Sequence, residues 1–184
     1  MKNKPVITAK ETVARSRLFH VEQLGLRFSN GREVQYERLK SSSAGAVLVV
    51  PMLDATTVLL IREYAAGVER YELALPKGRV EPGEDLAAAA NREIREEVGY
   101  AARRLTQLKS MTLSPGYFSH ATHIFLAEDL YPARLEGDEP EEIEVVPWSL
   151  EQLPQLLEQE DCTEARSIAA LYMVRERFLQ GRKT

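Results

Sequence analysis

Hydrophobic and polar residues alternate in two neighbouring runs near the start of the chain. The first run spans residues 18–28, the second spans residues 33–39, and Asn30-Gly31 lies between them. Asn-Gly between two alternating runs is a strong hairpin signal, because both residues tolerate a positive φ. The pattern predicts a small antiparallel β subdomain over residues 1–43.

A second region, residues 44–184, follows a run of small and polar residues at 41–45 that we interpret as the join. Residues 46–53 and 57–62 are nearly continuous apolar runs rich in β-branched side chains. Such runs are typical of strands that are buried on both faces. We expect a further short strand at residues 71–75.

The period of the pattern then changes from that of a strand to that of a helix. Leu86, Ala90, Ile94 and Val98 recur every four residues while Arg and Glu fill the intervening positions, which predicts an amphipathic helix over residues 85–98. Strands interrupted by helices indicate an α/β fold. The remaining segments are predicted as strands at 105–113, 123–127 and 143–148, and as helices at about 149–158 and 163–179.

Composition narrows the class of protein. The chain has 184 residues, one cysteine, 24 basic and 28 acidic residues, and a net charge of −4. One cysteine gives no disulfide framework, and no apolar run approaches the roughly 18 residues of a membrane span or resembles a signal peptide. We therefore expect a cytoplasmic protein without a membrane partner. Slight acidity argues against a nucleic-acid partner bound by bulk charge and leaves small molecules and protein contacts open.

Candidate chemistry lies on the polar face of the helix predicted at 85–98. Glu93, Glu96 and Glu97 are three or four residues apart or adjacent, so their carboxylates crowd one surface. Crowded carboxylates are relieved by a raised pKa, a basic partner or a divalent cation, and carboxylate oxygens favour Mg²⁺, with Mn²⁺ possible. Read alone, the helix could also be a solvated face joined by pairs such as Arg92–Glu96.

The segment 78–100 decides between these readings, because it resembles the Nudix box. Gly78, five residues, Glu84, seven residues, Arg92-Glu93-Ile94, any residue, Glu96-Glu97, any residue and Gly99-Tyr100 follow that motif. Only Tyr100 departs from it, since the family usually has an aliphatic residue there. The resemblance implies the Nudix α/β/α sandwich with a mixed sheet, here preceded by the β subdomain. It also implies hydrolysis of a nucleoside diphosphate linked to another group.

The same resemblance assigns expected roles to residues of the box. Glu93 and Glu97 would be the main metal ligands, Glu96 would be a further ligand or catalytic neighbour, and the carbonyl of Lys77 could add a ligand. Arg92 would orient the carboxylates, and Glu84 would support the cluster. The expected cofactor is Mg²⁺, which would assist in-line attack of water on phosphorus.

Two flanking features resemble the ADP-ribose pyrophosphatase branch of the family. Pro115 lies sixteen residues after Gly99, although Pro-Gly is also an ordinary turn pair. The acidic run 136–144 resembles a loop that carries a catalytic glutamate in that branch, and Glu139 and Glu141 are the matching positions. A solvated acidic loop is the alternative.

Within that branch, segments 11–19, 61–65, 115–119 and 130–140 resemble the bacterial ADP-compounds hydrolases. This implies that ADP-ribose, NADH and diadenosine polyphosphates are substrates and that AMP is a product. It also implies a homodimer in which the N-terminal subdomain packs on its neighbour. The residues expected to bind substrate are Arg62, Tyr64 and Pro115.

Other functions are also compatible with this sequence. A GDP-sugar pyrophosphatase of the same branch is the nearest enzymatic alternative, and a non-catalytic module that senses ADP-ribose is another. The complete set Glu93, Glu96 and Glu97 argues against a non-catalytic module. An RNA-decapping enzyme is a third alternative, although the chain shows no basic groove with interleaved aromatic residues.

Overall fold

The computed structural model describes residues 3–41, 45–137 and 140–181. Its elements begin with β1 (Val6–Arg15), β2 (His20–Arg27) and β3 (Glu33–Leu39). The second region contains β4 (Ala46–Pro51), β5 (Thr57–Ala65), β6 (Arg70–Ala74), β7 (Lys77–Arg79), α1 (Leu86–Glu97), β8 (Tyr100–Thr112), β9 (Ala121–Pro132), β10 (Glu144–Ser149), a 3₁₀ turn (Leu150–Gln152), α2 (Leu153–Leu156) and α3 (Ala165–Gly181).

The N-terminal strands form a three-stranded antiparallel sheet in the order β1-β2-β3. The hairpin between β2 and β3 closes at Gly31, where φ is +82° and the N–H donates to the carbonyl of Phe28. A positive φ is accessible to glycine at no steric cost, which is why Asn-Gly predicted this turn correctly. The predicted boundary between residues 43 and 44 falls outside the described residues.

One buried charge of this sheet is paired with three cations. Glu22 on β2 is 2% exposed, and its carboxylate pairs with Arg38 at 2.9 Å, Lys10 at 3.3 Å and Lys40 at 3.4 Å. Burial raises the pKa of Glu22, but hydrogen bonds from these three cations outweigh burial and lower the pKa to about 2. The negative charge of Glu22 is therefore balanced by cationic side chains of the protein itself.

The second region has two sheets. One is mixed, in the order β7-β4-β9-β8, with β4 and β9 parallel, and the other is antiparallel, in the order β10-β5-β6. Alternation along β4 divides the core, since Val47 and Val49 pack with Ile94 of α1, whereas Leu48 and Val50 pack in the cluster of α3. The sheets therefore lie between α1 and α3 in an α/β/α sandwich.

The two regions meet at an isolated bridge. The N–H of Leu39, at the end of β3, donates to the carbonyl of Tyr117, and the N–H of Ser119 donates to the carbonyl of Leu39. The loop that carries Pro115 therefore supports the N-terminal sheet. Within the described part of the chain, no helix is long and apolar enough to cross a membrane.

The structure corrects several expectations. The helix expected at 149–158 is a 3₁₀ turn followed by the four-residue α2. β8 begins at Tyr100 rather than near 105, and β9 runs to Pro132 rather than 127. β1 was not expected, because all ten of its residues are exposed and leave no buried periodicity to detect. β7, only three residues long, was also not expected.

Candidate active site

The loop between β7 and α1 positions the carboxylate of Glu84 next to the helix. Gly83 has a φ of +81°, and Asp85 caps α1 by accepting the N–H groups of Ala87 and Ala88 at 2.9 and 3.2 Å. Between them, Glu84 accepts the N–H of Glu81 at 3.0 Å. The turn and the cap together fix Glu84 opposite the first residues of the helix's polar face.

Arg92 organises the carboxylates of the box. Its guanidinium donates to both oxygens of Glu84 at 2.9 and 3.1 Å, to Glu93 at 2.8 Å and to Glu96 at 2.9 Å. A further N–H donates to the carbonyl of Arg79 at 3.0 Å. The hydrogen bond with Glu84 is the largest of the effects that raise the pKa of Arg92, so this cation stays charged. Arg92 is thus placed to orient the three acids.

Glu93 packs against the backbone of the strand that precedes the loop. A Cβ added to Gly78 would collide with the carboxylate carbon and both oxygens of Glu93. The side chain of Glu93 is 8% exposed. The first glycine of the box is therefore required for close packing of this carboxylate.

Glu97 is the most deeply buried acid of the helix, at 4% exposed. One of its oxygens accepts the backbone N–H of Lys77 at 3.0 Å. Burial raises the pKa of Glu97 to about 9, against the opposing charge of Lys77 and with the charge of Glu93 adding to the rise. Without an added cation, burial therefore favours the neutral form of this carboxyl group.

A cleft of about 730 Å³ is lined by Gly78, Arg92, Glu93, Glu96 and Glu97 among others. The cations of its lining are Lys77, Arg79 and Arg92. Glu136, Gly137 and Pro140 of the acidic loop form part of the wall and also line an adjoining recess that contains Glu96 and Glu141. The acids of the cleft lining are Glu63, Glu81, Glu93, Glu96, Glu97 and Glu136.

The donor chemistry of the cleft fits a hard divalent cation. Buried carboxylate oxygens are the ligands that Mg²⁺ and Mn²⁺ prefer, and a nearby cation would restore the ionised form of Glu97. Across residues 3–41, 45–137 and 140–181, however, no three His, Cys, Asp or Glu side chains are gathered to hold a metal. The guanidinium of Arg92 donates from one nitrogen to both Glu93 and Glu96.

Other expected site residues lie apart from the cleft lining. Arg62 pairs with Glu144 at 3.0 Å and with Asp161 at 3.1 Å. Tyr64 is half exposed, and its ring packs edge-on against Tyr71 with centroids 5.5 Å apart. Pro115 lies in the loop that meets β3. As far as the described residues show, none of the three lines the cleft.

Of the two loop glutamates expected to be catalytic, the structure describes Glu141. Glu141 lines the recess beside Glu96 and accepts a hydrogen bond from the hydroxyl of Tyr71 at 2.7 Å. Glu139 lies outside the described residues.

Sequence reasoning did not single out Glu63, Arg79 or Tyr71. Glu63 and Arg79 line the cleft, and Tyr71 holds Glu141. Arg79 lies inside the box next to Gly78, which is a signal that could have found it. Tyr71 and Glu141 are 70 positions apart, and no local pattern connects them.

Comparison with known proteins decides the family. A model described as the NUDIX domain matches residues 43–171. The chain belongs to the Nudix hydrolase family. A second model, the NudE-type Nudix hydrolase N-terminal domain, matches residues 5–38. The chain is therefore a Nudix enzyme, and the expected membership is confirmed.

Relatives of this Nudix chain cover nearly its whole length. The ADP compounds hydrolase NudE of Escherichia coli (strain K12) is 51% identical over 97% of this chain and 95% of its own length. The ADP-ribose pyrophosphatase of Bacillus subtilis (strain 168) is 31% identical over 95% of this chain and 97% of its own.

A crystal structure of an ADP compounds hydrolase superposes with a TM-score of 0.91 at 50% identity. The match covers 99% of this chain and 97% of the chain in that crystal structure. The expected Nudix fold with its mixed sheet is thereby confirmed.

Proposed function

We propose that this Nudix enzyme hydrolyses the pyrophosphate bond of ADP-linked compounds and releases AMP. The observation that carries the proposal is the 51% identity over nearly the full length to an ADP compounds hydrolase. The name of the B. subtilis relative, ADP-ribose pyrophosphatase, points to the same substrate class. ADP-ribose, NADH and diadenosine polyphosphates are the proposed substrates.

The proposed cofactor is Mg²⁺, or Mn²⁺ in its place, held by Glu93 and Glu97 with Glu96 and the carbonyl of Lys77 as further ligands. The supporting observations are the burial of Glu93 and Glu97 and the raised pKa of Glu97. When bound, the cation supplies neutralisation of the pyrophosphate charge and a lower pKa for the attacking water.

The chain's own residues would position the reactants. Arg92, anchored on Glu84, keeps Glu93 and Glu96 oriented towards the cleft. A glutamate of the acidic loop, Glu139 or Glu141, takes the proton of the attacking water. The water oxygen forms a bond to phosphorus as the bridging P–O bond breaks, and the other phosphorylated half leaves. The roles of Arg62, Tyr64 and Pro115 in substrate binding stay predictions.

We also propose a homodimer formed through the N-terminal sheet. β1 is one of the two edge strands of that sheet, and Val6, Ile7 and Val13 on it are exposed at 63%, 55% and 44%. An exposed edge with apolar side chains favours pairing with a second chain. Light scattering coupled to gel filtration measures the mass directly.

A substrate panel tests the proposed activity. ADP-ribose, NADH, diadenosine triphosphate and GDP-mannose are incubated with the enzyme and Mg²⁺, and the products are identified by mass spectrometry. We expect AMP from each adenine compound and slower turnover of GDP-mannose. Preferred cleavage of GDP-mannose would instead support the GDP-sugar alternative. Tight binding of ADP-ribose without cleavage would support a sensing module.

A further inference from the structure

The cleft contains more acids than bases, although its proposed substrate is an anion. Of the three cations that the described residues place in its lining, Arg92 is committed to Glu84, Glu93 and Glu96. Besides the proposed divalent cation, the remaining positive charges of this lining that could meet an entering pyrophosphate group are those of Lys77 and Arg79.

Lys77 is fixed beside the deepest carboxylate of the cleft. Its backbone N–H donates to Glu97, and its ammonium acts electrostatically on the same acid. Because Glu97 is a proposed metal ligand, the side chain of Lys77 starts next to the place where the pyrophosphate would be held.

The ammonium of Lys77 is also only loosely engaged. It pairs with Glu63 at 3.2 Å, and the two side chains are 24% and 42% exposed. An ion pair with a partner this exposed contributes little to stability, so an incoming phosphate can replace Glu63 at little cost. Lysine offers three donors and a compact charge, which suits phosphate oxygens.

We propose that the Lys77 side chain is a phosphate-binding group that leaves Glu63 and donates to the pyrophosphate of the bound nucleotide. The proposal rests on the proposed function and assigns the side chain a task separate from that of its own carbonyl. Glu63 is then a resting counterion that occupies the ammonium until substrate arrives.

Equilibrium binding separates this role from a structural one. Calorimetry measures the binding of a methylene-bridged ADP-ribose analogue, with Mg²⁺ present, to the wild type and to variants. We expect Lys77→Ala to weaken binding about tenfold or more, as loss of a charge-assisted hydrogen bond does, and Lys77→Arg to recover most of the loss. We expect Lys109→Ala, which removes an exposed lysine outside the cleft, to change nothing.

Glu63→Gln provides the decisive comparison, because it breaks the same ion pair while leaving the ammonium in place. We expect this variant to bind the analogue at least as tightly as the wild type. Melting temperatures within about 2 °C of the wild type would show that all variants are folded.

Several results would overturn the proposal. These are unchanged binding by Lys77→Ala, equal weakening by Glu63→Gln and Lys77→Ala, or a loss that appears in Arg79→Ala and not in Lys77→Ala. If the wild type binds no ADP-linked analogue, the proposed substrate class fails. The same variants are then titrated with inorganic pyrophosphate and Mg²⁺, and a wild type that binds neither probe overturns the assignment of Lys77.

Discussion

Two glutamates, Glu22 in the N-terminal sheet and Glu97 in the cleft, are almost equally buried, at 2% and 4% exposed. Their pKa values nevertheless move in opposite directions, to about 2 for Glu22 and to about 9 for Glu97. Glu22 receives three cationic side chains. Glu97 accepts a hydrogen bond from the backbone N–H of Lys77. The positive charge of the Lys77 side chain acts on it at longer range.

The difference distinguishes a structural carboxylate from one suited to bind a cation. A buried carboxylate whose charge is matched by the fold gains nothing from an added ion. A buried carboxylate that the fold leaves short of positive charge lowers its free energy by binding one. The burial of an acid therefore says little about its role until its counterions are identified.

Replacing Glu97 by Gln should produce the largest effect on activity. We expect kcat/KM to fall about a thousandfold or more, because the amide cannot supply an anionic ligand. We expect the melting temperature without metal to stay within about 2 °C of the wild type, because burial already favours the neutral form of Glu97 there. Steady-state kinetics and thermal melting measure the two quantities.

Glu176→Gln, at an exposed position on α3, is the matched control and should affect neither quantity. A large loss of stability in Glu97→Gln would contradict the comparison, because it would mean that Glu97 is charged and paired as Glu22 is.

A smaller effect on activity is expected from Gly78→Ala. The added Cβ would collide with the carboxylate of Glu93, and the acid must move. Displacement of a ligand by about 1 Å costs roughly a hundredfold, so we expect a fall of about that size in kcat/KM. Gly67→Ala is the control, because a Cβ there meets nothing within 4 Å. Equal activity of the two variants would show that Glu93 is not held by this contact.

Glu22→Gln should lower stability and leave the chemistry intact. We expect the melting temperature to fall by about 5 °C or more, because three cations lose their shared partner. The value of kcat/KM at 25 °C should change little. The control is Glu33→Gln, which breaks the exposed Arg27–Glu33 pair of the same sheet and should shift melting by about 1 °C or less. Equal shifts would remove the structural role of Glu22.

The pH dependence of this stability follows from the lowered pKa of Glu22. The ordinary pKa is 4.5 and the folded value is about 2, so the ionised carboxylate stabilises the fold fully above pH 4.5. That contribution is lost as the pH falls from 4.5 towards 2. The melting difference between the wild type and Glu22→Gln should therefore shrink across this interval. A difference that stays constant there would contradict the pKa assignment.

An element or a site residue could be predicted from the sequence when the residues that determine it lie close together along the chain. The helix predicted at 85–98 is observed at Leu86–Glu97, because the apolar period and the Asp85 cap lie within one short segment. The Nudix box likewise placed Arg92, Glu93 and Glu97 in one cleft. β1 was missed because an exposed edge strand has no buried face to produce alternation.

Contacts between side chains far apart in the sequence could not be predicted either. Nothing in the order of residues shows that Tyr71 would hold Glu141, which lies 70 positions away. Arg62 illustrates the same limit, since its partners Glu144 and Asp161 lie 82 and 99 positions away. Its ion pairs could be known only after the chain had folded.

The bridge between Leu39 and the 117–119 loop has a consequence for synthesis on the ribosome. The hydrogen bond from the Ser41 N–H to Ser119 at this junction joins residues 78 positions apart. The three N-terminal strands lie within residues 6–39, so the whole of this sheet is translated well before residue 119. Their attachment to the rest of the protein waits until residue 119 has been translated, so the nascent sheet spends that interval without its anchoring loop.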